Sequence, residues 1–195
     1  MKILEITGQP CSGKTSYLSE KANIGLREIV YKQNFIYKNF DFLVGLKYLG
    51  FIKCKRLLGW ALEEKVSFLF QLNIFRNAIS KFGVFKRIKK SNLTEFKTTI
   101  VDEGLSHLPF LFYQTETREV VKFIEEELRC IQVLFLQSTS REEIKLRLKN
   151  RGHKRLAFFS IDEFIERNHK IELDLIQIYP SSCADLKFIE NVENI

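Results

Sequence analysis

Short apolar runs alternate along the chain with stretches in which apolar residues return at helical spacing. Lys2 to Thr7 (KILEIT) has strand composition and predicts an opening β-strand. Gly8 to Gly13 predicts a turn, and Lys14 to about Ile29 a helix with Tyr17, Leu18, Ala22 and Leu26 near 3.6-residue spacing. The middle is mixed. Phe35, Ile36 and Tyr37 suit a second strand, whereas Phe42 to Leu49 and Leu57 to Ile79 have helical spacing, with Gly45, Gly50, Gly59 and Gly83 as breaks. Regular order returns at Thr98 to Val101 (TTIV), a strand of buried type that ends in Asp102-Glu103-Gly104. Glu116 to Arg129 predicts an amphipathic helix, and Ile131 to Gln137 is a continuous apolar run of the kind a parallel strand covered on both faces requires. Ser140 and Ser160 each stand three residues before a glutamate, Glu143 and Glu163. That spacing predicts capped helices running to about Asn150 and Ile178. Asp185 to Ile189 closes the pattern as a short strand.

Strands alternating with helices imply an α/β fold with a parallel sheet. At 195 residues the chain is of a size for one folding unit, and 45% apolar with 28% charged residues is the balance of a globular protein. The four cysteines, Cys11, Cys54, Cys130 and Cys183, show no C-x-x-C spacing and no nearby histidine pair, which argues against a zinc knuckle or a disulfide framework. The N-terminus lacks the apolar core of a signal peptide. Glu63, Glu64 and Lys65 break the most apolar later stretch, Leu57 to Phe75, so no membrane span is expected and the cytoplasm is the expected location.

Charge singles out the middle. Between Tyr31 and Lys97 stand 14 Lys or Arg and 4 Asp or Glu, a net of +10 in a chain whose total is +7, together with 10 of the 18 Phe. The region about 31–97 therefore reads as a basic, mainly helical insertion within a single domain spanning 1–195. Its surface suits an anionic ligand, an acidic partner or an acidic membrane face, and equally suits lysines that merely solubilise Phe-rich helices. No nucleic-acid motif accompanies the basic residues, so nucleic acid is not the expected partner.

Gly8-Gln9-Pro10-Cys11-Ser12-Gly13-Lys14-Thr15 matches the phosphate-loop pattern G-x-x-x-x-G-K-S/T in full, directly after a predicted strand and before a predicted helix. Glycine at positions 8 and 13 permits backbone conformations that a Cβ would block, and successive amide N–H groups then form an anion nest at the helix start. Lys14 is expected to reach the β- and γ-phosphates and the Thr15 hydroxyl to take one Mg²⁺ position. Asp102, delivered at the C-terminal edge of a neighbouring strand, is the second expected Mg²⁺ ligand, with Glu103 placed to polarise a nucleophile or hold metal-bound water. His107 reads as a loop histidine. Arg147, Arg151 and Arg155 recur every four residues, a spacing that places them on one face of a continuing helix. On a lid at about 147–160 they can close over a triphosphate, with Arg151 at the helix-to-loop junction as the foremost candidate. The bland alternative is a solvated face paired with Glu142 and Glu143.

Taken together, Met1 to Ile29 and Thr98 to Ile178 resemble the P-loop kinases of the thymidylate and nucleoside monophosphate kinase group. The chain is still more similar to thymidylate-kinase-like ATP-binding proteins, through Ile100-Val-Asp-Glu-Gly104 and the lid segment ending in Arg147-Leu-Lys-Asn-Arg151-Gly152. The resemblance implies a three-layer P-loop NTPase fold and the binding of ATP and Mg²⁺ at the positions above. It also implies transfer of phosphate to a small acceptor, which can be a nucleotide, a nucleoside or a sugar-like molecule, and a short adenine-contacting loop near Glu190 to Glu193. The Asp-Arg pair with which such kinases position a nucleoside is missing, and the basic insertion stands in its place. An anionic acceptor is compatible with Arg56, Arg76 and Arg87, and Asp41 is the one acid between Tyr31 and Leu62 that can orient it. Two functional expectations follow, an ATP-dependent kinase or a P-loop ATPase or regulatory module whose insertion docks a partner. A homodimer is compatible with either.

Overall fold

The computed structural model describes residues 2–14, 16–18, 29–31, 35–90, 98–137 and 140–190. Five strands, β1 (Lys2–Thr7), β2 (Ile29–Tyr31), β3 (Thr98–Asp102), β4 (Gln132–Gln137) and β5 (Asp185–Glu190), form one sheet. All neighbours are parallel and the order is β2-β3-β1-β4-β5. Beyond the helical turn at 14–18, of which residue 15 is not described, the helices among the described residues are α1 (Phe35–Glu63), α2 (Phe68–Lys90), α3 (Thr117–Phe123), α4 (Glu125–Leu128), α5 (Arg141–Arg151) and α6 (Ile161–Ser182). This is the expected α/β architecture with a parallel sheet and a helical insertion.

Period-two alternation sorts the strands between two cores. Ile3, Val101, Val133 and Phe135 face the larger core, filled by α1, α2 and α6 through residues such as Trp60, Phe82 and Tyr179. Ile6, Ile100, Leu134 and Leu136 face the other side, where Leu18 from the helical turn after the phosphate loop covers them. The sheet is thus the middle of three layers. The basic insertion is one wall of the main core.

Three element assignments change. The second strand lies at Ile29–Tyr31, and Phe35 to Tyr37 open α1 instead; a short apolar run does not by itself separate strand from helix. The helix expected over Leu57 to Ile79 is interrupted at 64–67, where the Gln71 side chain donates to the Leu62 and Glu64 carbonyls that the helix end leaves open (3.0 and 2.8 Å). The single helix expected over Glu116 to Arg129 is two short ones, divided at Ile124. The serine caps are in place, with Ser140 and Ser160 hydroxyls accepting from the amides of Glu143 (3.1 Å) and Glu163 (3.2 Å). Of the predicted Lys14 to Ile29 helix, residues 15 and 19–28 lie outside the described residues.

The glycines expected as breaks have different roles. Gly50 does kink α1, at φ 67. Gly45 and Gly83 instead bring α1 and α2 into backbone contact. A Cβ on Gly83 would sit 1.7 Å from the Asp41 carbonyl oxygen, and one on Gly45 would sit 2.1 Å from that of Ile79. Gly59 has open space around it. Gly59→Ala should therefore stabilise the protein by about 0.5–1 kcal/mol, the usual gain of alanine over glycine inside a helix. Gly83→Ala should destabilise it by about 1–3 kcal/mol as the two helices are forced apart. Urea unfolding of both variants checks this, and equal shifts of the same sign would refute the close approach.

Candidate functional site

Parallel pairing of β1 with β3 places Ile6 beside Asp102, so both strands end at the same edge of the sheet. The phosphate loop leaves β1 there. Gly8 adopts φ 145, and a Cβ on it would lie 2.4 Å from the Leu136 carbonyl of β4, so the loop hugs the sheet as only glycine permits. Cys11 (φ 66) and Gly13 (φ 89) complete the turn, which closes with Ser12 N–H on the Gln9 carbonyl (3.3 Å). The first helical turn follows at once, Tyr17 N–H donating to Gly13 O (3.0 Å).

Lys14 is folded back on this loop. Its ammonium donates to the carbonyls of Gly8 (3.0 Å) and Gln9 (2.8 Å) and pairs with the Glu103 carboxylate at 3.2 Å. Glu103 is itself held in a left-handed conformation, φ 53, with its N–H on Ile6 O (3.0 Å). Burial pushes the Glu103 carboxyl up, but the neighbouring His107, Lys14 and Lys81 outweigh burial and hold it well below the usual carboxylate range. At neutral pH the two ammonium groups supply that field, because burial keeps the His107 imidazole uncharged, its pKa lowered from 6.5 to about 3. Asp102 beside it is exposed as a residue at the sheet edge, but partial burial of its carboxyl and the Glu103 charge push that group up against the pull of Lys14, Lys81 and Arg151.

Lys14, Asp102 and Glu103 line a cavity of about 530 Å³ with Cys11, Gly13, Ser16, Arg147, Asn150 and Arg151. Lys14, Asp102, Glu103 and Arg151 therefore meet in one place. Arg147 donates to the Cys11 carbonyl (3.1 Å) and pairs with Glu143 on its own helix. Gln9, buried, donates instead to Glu172 of α6 (3.1 Å), tying the loop to the following layer. Pro10 is half-buried and Ser12 buried within the loop. Thr15, expected as a Mg²⁺ ligand, lies outside the described residues, as do 191–193 of the expected adenine loop. Among the described residues no three or more His, Cys, Asp or Glu gather as a metal site. Two carboxylates lining the cavity beside the loop nevertheless suit Mg²⁺, which is commonly held by one or two carboxylates together with substrate phosphates.

Arg155 departs from the expected row. The helix ends at Arg151 because Gly152, at φ 70, turns the chain. A 3₁₀ turn (Lys154–Ala157) then buries Arg155, which donates to the carbonyls of Phe110 (3.2 Å) and Leu111 (2.5 Å) and lies 3.9 Å over the Tyr113 ring. It fastens the segment after α5 to the segment after β3, and it does not line the cavity. Asp41 and Arg87 also prove structural, forming an ion pair (2.9 Å) between α1 and α2, while Arg56 pairs with Glu119 and stacks on Trp60.

Two further charged residues stand beside the site without belonging to any sequence motif. Lys81 of α2 donates to the Glu103 carbonyl, and its ammonium is pulled down by burial but supported by Glu103, Glu5 and Asp102. Glu5, in the middle of β1, is buried at 2% exposure and accepts from Ser106 N–H (2.7 Å). The available signal was a charged residue inside an apolar run, Glu5 in KILEIT and Lys81 in AISKFGVF. His107 stacks on Phe110 and reaches Thr7 Oγ1 at 3.5 Å.

No protein-family model matches the sequence, and no curated protein matches it. Among solved structures, deoxyadenosine kinase from M. mycoides with bound dATP is similar, at 16% identity and a TM-score of 0.51 over 97% of this chain and 91% of that one. At that identity the likeness is one of fold: the two chains share an α/β architecture.

Between pH 6.5 and about 3 the unfolded chain binds a proton at His107 that the folded chain refuses, so this group's contribution to stability is complete above 6.5 and is lost as the pH falls. His107→Phe retains an aromatic ring against Phe110 and should flatten the decline in stability between pH 6.5 and about 5 relative to the parent. Denaturation midpoints across that range measure it; an unchanged slope would mean that the imidazole is not the group responsible.

Proposed function

We propose that this protein is an ATP-dependent phosphotransferase that moves the γ-phosphoryl group of ATP to a small acceptor, of nucleotide, nucleoside or sugar-like type. The observation that carries the reading is the convergence of a complete phosphate loop, two carboxylates from β3 and two lid arginines on one cavity. In this reading the loop amides between Gly8 and Thr15 cradle the phosphates. Lys14 leaves its carbonyl and Glu103 partners to neutralise the β- and γ-phosphates. Arg151, with Arg147 behind it, approaches from the lid side and balances charge that grows on the transferring group.

Asp102 and the Thr15 hydroxyl would hold Mg²⁺, which when bound draws charge from the phosphate oxygens. Glu103 remains ionised and accepts or orients the proton of the acceptor hydroxyl once Lys14 has moved to the phosphates. The acceptor then lies between Asp102-Glu103 and α2, where Lys81 gives the wall a positive charge suited to an anionic acceptor. Catalysis of this kind rests on positioning and charge stabilisation, which these groups can supply.

A second reading, an ATPase or regulatory module whose basic insertion docks a partner, is favoured by the apolar side chains that α1 and α2 leave exposed. Incubation with ATP and a panel of nucleosides, nucleotides and sugars separates the two. A mass gain of one phosphate on an acceptor supports the kinase, and acceptor-independent hydrolysis alone supports the module.

Lys14→Ala should lower turnover by about 10²-fold or more and weaken nucleotide binding while the fold survives. Equilibrium titration with a fluorescent ATP analogue checks the binding, and full affinity in the variant would remove the basis of the assignment. Asp102→Asn should lower Mg²⁺-dependent turnover about 10²-fold with a much smaller effect on ATP affinity. Activity equal to the parent would move the metal to another ligand.

A further inference from the structure

Eight of the twelve large hydrophobic side chains left exposed among the described residues belong to the α1–α2 hairpin. The most prominent are Phe51 and Ile52, each 83% exposed just after the Gly50 kink, and Phe68 and Leu69, 61% and 79% exposed at the hairpin turn. Leu43 and Leu62 extend the same exposure along α1. A rise of about 1.5 Å per residue separates Phe51 from Leu62 by roughly 17 Å, so the apolar points are spread along the hairpin.

The charge on this hairpin is predominantly positive. Positions 35 to 90 hold 12 Lys or Arg and 3 Asp or Glu. Of the three acids, Asp41 is buried against Arg87 and Glu64 is buried with its carboxylate on Gln114 N–H, which leaves Glu63 as the exposed one. Lys47, Lys55 and Lys65 are exposed among the apolar residues. A second copy packed symmetrically on this face would set lysine rows together with almost no acid to pair them. Protruding aromatic and aliphatic side chains flanked by lysines suit a surface whose headgroups are anionic and whose interior is apolar.

We propose that the hairpin face carrying Phe51, Ile52, Phe68 and Leu69 docks the protein peripherally on an anionic membrane surface. The apolar side chains enter the headgroup–acyl boundary, and Lys47, Lys55 and Lys65 pair with lipid phosphates and carboxylates. No helix among the described residues is long and apolar enough to cross a membrane, so the contact is with the surface. The docking face lies on the insertion and uses none of the groups that line the phosphate cavity, so it stands independently of the kinase reading.

Co-sedimentation of the full chain with phosphatidylcholine vesicles, with and without phosphatidylserine, tests the proposal. Binding should favour the phosphatidylserine vesicles by about tenfold or more and weaken as salt is raised. Phe51→Ser with Ile52→Ser should lower that binding about tenfold while the thermal midpoint and nucleotide binding stay at parental values. Lys47→Glu with Lys55→Glu, which leaves the apolar residues in place, should lower it comparably and abolish the preference for anionic lipid. Equal sedimentation with both vesicle types, or none with either, overturns the proposal. So does a concentration-dependent dimer in analytical ultracentrifugation that the Phe51 and Ile52 changes dissolve, since a second copy would then be the occupant.

Discussion

An ammonium group from the start of the first helical turn and a carboxylate from the end of β3 meet at 3.2 Å, and the candidate site is organised around that contact. Lys14 and Glu103 are far apart along the chain. They meet because β1 and β3 are adjacent, parallel and in a register that sets Ile6 against Asp102. Glu103 turns back over β1 in a left-handed conformation, with its amide on the Ile6 carbonyl. The Lys14 ammonium also satisfies the Gly8 and Gln9 carbonyls, so a buried cation is paired on every side by groups of its own loop and its neighbouring strand. The pair therefore holds the loop in shape.

The hairpin of α1 and α2 supports this contact from the side. Backbone approach at Gly45 and Gly83 fixes the two helices against each other. The buried part of α2 then brings Lys81 beneath the Glu103 carbonyl, near Glu5 and Asp102. With Lys14 and Lys81 on one side and Glu5, Asp102 and Glu103 on the other, neighbours of opposite sign hold Glu103 ionised, whereas burial leads at Glu5 and pushes its carboxyl up. The far end of the hairpin performs a separate task. Glu64 accepts from Gln114 N–H, and Phe70 lies against Phe158, so the hairpin also touches the segments after β3 and after α5.

The arginine row shows how a periodic pattern can mislead. Arg147, Arg151 and Arg155 share a face only while the helix continues. A single glycine at φ 70 ends it, and the third arginine turns inward to hold the Phe110 and Leu111 carbonyls and cover Tyr113. Two guanidinium groups remain toward the cavity, and the third secures the platform from which they reach it.

Local chemistry determined much from the sequence by itself. The phosphate loop, the β3 strand ending in Asp102-Glu103, the serine caps at Ser140 and Ser160 and the alternation of strands with helices depend on short-range stereochemistry, capping and periodicity, all carried by neighbouring residues. Tertiary structure decided the rest. Glycines 45 and 83 look like helix breaks in one dimension and are contact points in three. Asp41 and Arg87 look like free charges and are each other's partner. Lys81 and Glu5 look like isolated polar residues in apolar runs, and their roles emerge only when β1, β3 and α2 lie side by side. Sequence spacing fixes which way a side chain points along its own element, but a charge or a gap acquires meaning from the group that packing brings against it.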